Sequence, residues 1–269
     1  MKKYLIEGTH EIDRLAFQNK IDVYDLKTEL ASFNWKFDDK VLDAGCGSGN
    51  LTQELIQMGI QKIDGIDMSS ERVAFARERF SSNKNVNIYK ANLEATGLEK
   101  SSYDKIICRY VFEHITEPIE IFSELISLIK DKGKIYIINF DDIFFGFYTK
   151  NHVLNKKLIH LKSKLPQDFE IGRKIPQLLA SLGLVDIKWN AETYFFKEQR
   201  LELEITNTKM RLEQGRSTLS KYFDSLSDYD KFCEEYLEEM KDPNNVLYAN
   251  KFLISAEKSL IGKILSLSK

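Results

Sequence analysis

The sequence predicts an α/β protein: a mostly parallel sheet of seven strands with helices on both faces. Two observations carry this. From Lys40 to Phe140, short apolar runs alternate with amphipathic segments, the rhythm of βαβ units. After a break in that rhythm, two further apolar runs, 184–189 and 246–258, supply the last strands.

Residues 10–33 place Ile12, Leu15, Ala16, Val23, Leu26 and Leu30 at helical spacing, which predicts one or two amphipathic helices ahead of the sheet. "KVLDA" (40–44) is a buried strand, and "NLTQELIQMG" (50–59) is a helix stopped by Gly59. "KIDGID" (62–67) is the second strand. "SSERVAFARERFSS" (69–82) opens on a serine cap and an acidic first turn, so it is a helix. "NVNIYKA" (85–91) and "YDKIICRY" (103–110) are strands three and four. A helix over 117–133 ends at Gly133, and "KIYIINF" (134–140) is the fifth strand. Residues 141–170, rich in aromatics and lysines, read as an inserted helical segment. A helix over 172–183 precedes the sixth strand, 184–189. The charged stretch 197–241 is helical in pattern, with Pro243 as a stop, and 246–258 is the final strand. The tail 259–269 is a short basic amphipathic piece, read as a packing helix or a membrane-surface segment.

The composition narrows the function. With 269 residues and 43% apolar side chains the chain can bury a full core. A net charge of −2 argues against a nucleic-acid binder that works by bulk electrostatics. Cys46, Cys108 and Cys233 are odd in number and far apart, which suggests neither a disulfide framework nor a zinc site and fits the reducing cytoplasm. His10, His152 and His160 lack metal-ligand spacing, so no metal is expected. The N-terminus has acidic residues where a signal peptide needs an apolar run, and no stretch approaches the ~18 apolar residues of a membrane helix.

"VLDAGCGSGNLT" (41–52) carries the ligand argument. A glycine loop between a strand and a helix lets backbone approach a nucleotide. The dinucleotide fingerprint needs glycine at relative positions one, three and six. Gly45 and Gly47 comply, but the sixth position is Asn50 and the third glycine, Gly49, comes one place early. Asp43, just before the loop, would repel a pyrophosphate. It suits a ligand that is cationic there, such as S-adenosylmethionine, whose ammonium pairs with a carboxylate. Asp67 ends the second strand, where an acid accepts both ribose hydroxyls, and Met68 follows it. In "KANLE" (90–94), Asn92 can bond adenine and Leu93 can offer its N–H.

These motifs resemble those of class I S-adenosylmethionine-dependent methyltransferases. "VLDAGCGSG" is similar to that family's first motif, "GID" to its ribose-binding motif, "ANLE" to its adenine loop and "YDKIICRYVFEHI" to its fourth-strand motif. Asn92 departs from the aspartate common there. The resemblance covers 38–140 and extends loosely to 10–18 and 171–184. It implies a Rossmann-like single domain over 1–269. Residues 1–37 would form a helical lid, 38–140 the cofactor core, and 141–170 with 197–241 helical insertions over the substrate site. It implies S-adenosylmethionine as cofactor, held by Asp43, Gly45, Cys46, Gly47, Gly49, Asp67, Met68, Asn92, Leu93, Arg109 and Tyr110, with Tyr4, Arg14 and Gln18 reaching in from the lid helix or forming a solvated face.

Around the acceptor, Glu113 and His114 are candidates to face the substrate. His114 either takes a proton or packs behind the cofactor. Asp141 and Asp142 either orient the acceptor or start the next helix. Phe144, Phe145, Phe147 and Tyr148 either line a pocket or fill the core, and 193–196 is a further pocket candidate. The expected activity is methyl transfer to the oxygen, nitrogen or carbon of a small molecule, by a monomer or homodimer. The alternatives are a non-catalytic S-adenosylmethionine-binding subunit, or a methyltransferase acting on tRNA or protein.

Overall fold

The structure is a computed structural model that describes residues 9–259. Tyr4 and residues 260–269 of the tail lie outside the described residues. The chain order is α1 (Thr9–Gln18), α2 (Leu26–Ala31), β1 (Lys40–Ala44), α3 (Asn50–Gln57), β2 (Lys62–Asp67), α4 (Ser70–Arg79), β3 (Val86–Lys90), β4 (Tyr103–Arg109), α5 (Pro118–Leu128), β5 (Ile129–Asp141), α6 (His152–Lys164), α7 (Ile175–Ser181), β6 (Leu184–Phe195), α8 (Glu198–Leu219), α9 (Leu226–Lys241) and β7 (Tyr248–Lys258). No described helix is long and apolar enough to cross a membrane.

The strands form one sheet in the order β3-β2-β1-β4-β5-β7-β6. β7 runs antiparallel to both β5 and β6, and the first five strands pair in parallel. Strand side chains alternate between faces. Leu42, Ile106 and Ile137 therefore pack under α5 and α7, while Val41, Ile107 and Ile138 pack under α2 and α3. Burial on both faces is why these strands read as continuous apolar runs. The order reverses between β1 and β4, so their carboxyl ends diverge there and leave a crevice.

Several boundaries differ from expectation. The helix expected to reach Gly133 stops at Leu128, because Ile129 pairs with Tyr103. The chain then bulges through Lys132, at φ +62°, before Lys134 resumes the ladder opposite Lys105. β6 continues to Phe195 because β7 pairs along it as far as Tyr248. It is an edge strand with a mostly exposed surface, so its polar half carried no apolar signal. Only 152–164 of the segment 141–170 is helical.

A second apolar cluster lies beside the sheet. Leu158 and Leu161 of α6, Leu212 of α8, and Phe232 and Tyr236 of α9 meet Phe140, Phe144 and Tyr24 there. One buried carboxylate ties this layer to the sheet. Glu29 on α2 is 1% exposed. It accepts from Arg109 Nε (2.6 Å) at the end of β4, from Tyr110 Oη, and from Lys251 Nζ (2.7 Å) on β7. Arg109 also donates to the Tyr24 carbonyl (2.8 Å), and Lys251 to the Val23 carbonyl. Burial lowers the Lys251 pKa, and Glu29 opposes that shift.

Removing one partner of such a cluster strands buried charge. Glu29→Gln leaves Arg109 and Lys251 without their anion and should cost about 3–5 kcal/mol in urea unfolding. Lys251→Met keeps the Arg109–Glu29 pair and should cost less.

Candidate active site

A cavity of about 680 Å³ opens at the carboxyl ends of β1 to β4, under α1, α6 and α8. Its size falls within the ~300–1,000 Å³ usual for small-molecule sites. The β1 end contributes Asp43, 2% exposed, whose carboxylate accepts from Thr52 Oγ1 (2.6 Å) on α3. Burial pushes its pKa up to about 7. The Gly45 and Cys46 N–H groups donate to the Ile66 carbonyl (2.8 and 2.9 Å), which locks the loop onto β2. At Gly45 (φ +83°) an added Cβ would lie 2.5 Å from Val111 Cγ2. Gly45, Cys46 and Gly47 line the cavity.

Gly49 does not line the wall, contrary to expectation. It caps α3 at φ +85°, where a Cβ would meet Phe80 Cε2 at 2.4 Å, so its glycine serves packing and backbone geometry. Cys46 is buried and its thiol pKa is raised by burial.

At the β2 end, Asp67 accepts from the Gly47 N–H (3.0 Å) and Ser69 N–H (2.8 Å), and pairs with Arg72 Nη2 at 3.4 Å. Met68, Asn92 and Leu93 complete this side of the wall. Asn92 Oδ1 accepts from the Glu94 N–H (3.2 Å), which shapes the loop after β3. At the β4 end, Tyr110 adopts φ +55°, and its ring stacks on Phe140 at 5.0 Å. Arg109 and Tyr110 both line the cavity while bonding Glu29.

Four arginines line the cavity, and each has a carboxylate partner. Arg14 pairs with Glu11 (2.6 Å), Arg72 with Asp67 (3.4 Å), Arg109 with Glu29 (2.6 Å) and Arg211 with Glu204 (3.7 Å). Arg14 also donates to Gln18 and to Asn207 of α8, which joins α1 to that helix. Of the wall carboxylates that are not exposed, Asp43 and Glu113 have no Lys or Arg within ion-pair distance among the described residues. Burial raises Glu113, like Asp43, to about 7.

The expected catalytic pair separates. His114 lines the cavity, but burial pushes its pKa down to about 3, so the imidazole is neutral near pH 7. Asp141 is not part of the wall. It is fully buried and clamps the chain before α7, accepting from the Gly172 N–H (2.7 Å) and Arg173 Nε (2.6 Å). Asp142 joins the clamp through Arg173 Nη2 (2.9 Å). Phe144 reaches the wall, but Phe145 packs on Phe169, Phe147 packs on Tyr236, and Tyr148 is exposed. Residues 193–196 lie outside it.

Sequence reading placed 197–241 over the site but named no residue of it, so Arg211, Leu212 and Leu219 of α8 were missed. A signal was there. Glu204, Asn207, Thr208 and Arg211 are spaced as one helical face, and the first three are buried. Among the described residues, no cluster of three His, Cys, Asp or Glu side chains is placed to hold a metal ion. The clamp role makes a testable claim. Asp141→Asn should lower stability by about 1.5–3 kcal/mol in thermal or urea unfolding, and leave the affinity for a cavity ligand within about twofold, since a twofold change is under 0.5 kcal/mol.

Comparison with known proteins identifies the family and the fold. A family model described as a methyltransferase domain matches residues 36–200. A malonyl-acyl-carrier-protein O-methyltransferase of Halalkalibacterium halodurans is 28% identical over 234 residues, 83% of this chain and 84% of that protein. Two solved structures share the fold. One is a phosphoethanolamine N-methyltransferase of Haemonchus contortus in complex with S-adenosylmethionine, with TM-score 0.55 and 18% identity. The match covers 92% of this chain and 52% of that one. The other is a geranyl diphosphate C-methyltransferase of Streptomyces coelicolor, with TM-score 0.55 and 16% identity, covering 94% of this chain and 85% of that one. The chain belongs to the methyltransferase-domain family.

Proposed function

We propose that this chain transfers a methyl group from S-adenosylmethionine to a small molecule seated in the apolar half of the cavity, with catalysis mainly by positioning. One observation carries the reading. In a wall where every arginine is already paired, the buried carboxylate of Asp43 and the partly buried one of Glu113 face the cavity without a Lys or Arg within ion-pair distance. A ligand with two positive charges and no phosphate complements them. S-adenosylmethionine has such charges in its ammonium and sulfonium, and when bound it supplies a methyl group already activated for displacement.

Each wall residue then has a task. Asp43 and the backbone of Gly45 to Gly47 hold the amino-acid end. Asp67 accepts from the ribose hydroxyls, and Asn92 with Leu93 contacts adenine. Arg109 and Tyr110, fixed by Glu29, form the wall at the amino-acid end. Phe140, Phe144, Leu161, Leu212 and Leu219 make the other half apolar and exclude water from an acceptor there. The helices α1, α6 and α8 act as its cover. Alignment of two bound reactants can remove ~7–11 kcal/mol of barrier. The free thiols of Cys46, Cys108 and Cys233 support work in the cytoplasm, and the chain acts there as a monomer or homodimer.

Calorimetry tests the reading. S-adenosylmethionine and S-adenosylhomocysteine should bind at micromolar Kd and NADH should not; the reverse pattern would refute it. Asp67→Ala should weaken both ligands at least about tenfold, the cost of ~1.4 kcal/mol expected for losing a charged acceptor. The pH dependence has a definite sign. A cationic ligand favours ionised Asp43, whose pKa in the unliganded cavity is about 7. Both ligands should therefore bind more tightly as pH rises from 6 to 8.

A further inference from the structure

We propose that Glu113 is the proton acceptor of the acceptor site, so that the molecule methylated presents an O–H or N–H to the methyl group. This rests on reading the cavity as a methyltransferase site, and it narrows the acceptor to hydroxyl and amine compounds.

The placement comes first. Glu113 lies in the 3-10 turn Phe112–His114 that follows β4, and it lines the cavity. The turn is rigid. The Phe112 ring stacks on Phe122 at 4.2 Å, the His114 N–H donates to the Val111 carbonyl (3.1 Å), and the Asp168 N–H donates to the Glu113 carbonyl (3.1 Å). The nucleoside residues Asp67 and Asn92 follow β2 and β3, and the apolar residues Phe140 and Phe144 follow or end β5. β4 stands between these strands in the sheet, so its loop serves the junction of the two halves.

The carboxyl group has unused capacity. Glu113 Oε2 is enclosed and has no hydrogen-bond partner. Asn139, fully buried on β5, donates its side-chain N–H to the Phe140 carbonyl (3.0 Å), and its own Oδ1 lacks a donor. A buried acceptor left without a donor is costly unless a proton comes to it. The surroundings tune that proton. Burial raises the Glu113 pKa to about 7, while Arg211 on α8, the Asn139 side chain on β5 and Arg109 on β4 oppose the rise. His114 Nε2, 3.7 Å away on the same turn, is neutral in this range. A group that exchanges its proton near neutral pH suits general-base work.

The other acids of the wall do not compete. Glu11 is tied to Arg14, Asp67 to Arg72 and the loop, and Asp43 to Thr52, while Glu94 and Glu120 are exposed. In the step, the acceptor's lone pair forms the new bond to the methyl carbon while the S–C electron pair stays on sulfur. The acceptor's proton passes to the Glu113 carboxylate and later to solvent. A carboxylate of this basicity suits an O–H or N–H, whose acidity rises as the new bond forms, and not a C–H.

The experiment compares two ligands whose charges differ only at sulfur. S-adenosylmethionine carries the sulfonium and S-adenosylhomocysteine does not, while both present the same ammonium to Asp43. The ratio of their Kd values therefore removes the common effect of Asp43. Calorimetry from pH 6 to 8.5 should show S-adenosylmethionine gaining on S-adenosylhomocysteine by roughly tenfold, the equivalent of one pKa unit at Glu113. Glu113→Gln should flatten this ratio, and Glu113→Asp should restore part of it. A flat ratio in the wild-type protein, or a slope that survives in a folded Glu113→Gln variant, overturns the proposal. If the glutamine variant does not fold, Glu113→Ala is read in its place. Failure of both ligands to bind overturns the site reading itself, a result distinct from a flat ratio.

Discussion

The buried carboxylate of Glu29 is the interaction on which the rest of this site depends. It holds two cations and a phenol from two distant parts of the chain: Arg109 and Tyr110 at the end of β4, and Lys251 on β7. A buried ion cluster is costly to desolvate, and simple apolar packing could hold the α2 segment as tightly. What the cluster adds is electrostatic. It pairs Arg109, which lines the cavity, with an anion outside the wall. The same device recurs at Arg14, Arg72 and Arg211, each set against its own acid. Each of the four wall arginines thus has a carboxylate partner. Asp43 and Glu113 remain as the unbalanced charges.

That balance explains how a glycine loop resembling a dinucleotide site serves a different ligand. A pyrophosphate would need the loop N–H groups and a neutral or positive neighbourhood. Here the loop N–H groups of Gly45 and Cys46 are spent on the Ile66 carbonyl, and that of Gly47 on Asp67. The strand before the loop ends in a carboxylate that burial leaves close to neutral in the unliganded state. The cost of burying that acid is recovered when a cation arrives, which couples binding to ionisation.

The parts legible in the sequence were those where local pattern and site coincide. In a parallel sheet, functional residues follow strand ends, so finding β1 and β2 located Asp43 and Asp67 without knowledge of any partner. The loop glycines were legible as a group, but their separate reasons were not. Only tertiary contact shows that Gly49 avoids Phe80 while Gly45 avoids Val111. Asp141 misled because its position after β5 is a place where functional acids occur. The Gly172 N–H and Arg173 that capture it lie thirty-one and thirty-two positions away. Glu29 and Lys251 are 222 positions apart, and nothing local to either marks it as buried.

The division of labour between the two unbalanced acids follows from the reaction. Displacement at a sulfonium needs no further activation of the leaving group, so a protein gains little by acting on sulfur. The unsolved problem is the acceptor's proton, which must leave as the new bond forms. Asp43 is hydrogen-bonded to Thr52, and a bound ammonium would hold it ionised, so it is poorly placed to solve that problem. Glu113 has an oxygen without a hydrogen-bond partner, a turn tied by the Asp168 N–H, and a neutral histidine beside it. His114 and Glu113 are shifted in opposite directions by one cause, burial, which disfavours charge on both. A deeper site would leave Glu113 protonated at working pH and useless as a base, and a wetter one would make it too weak. The partly enclosed turn after β4 lies between those limits.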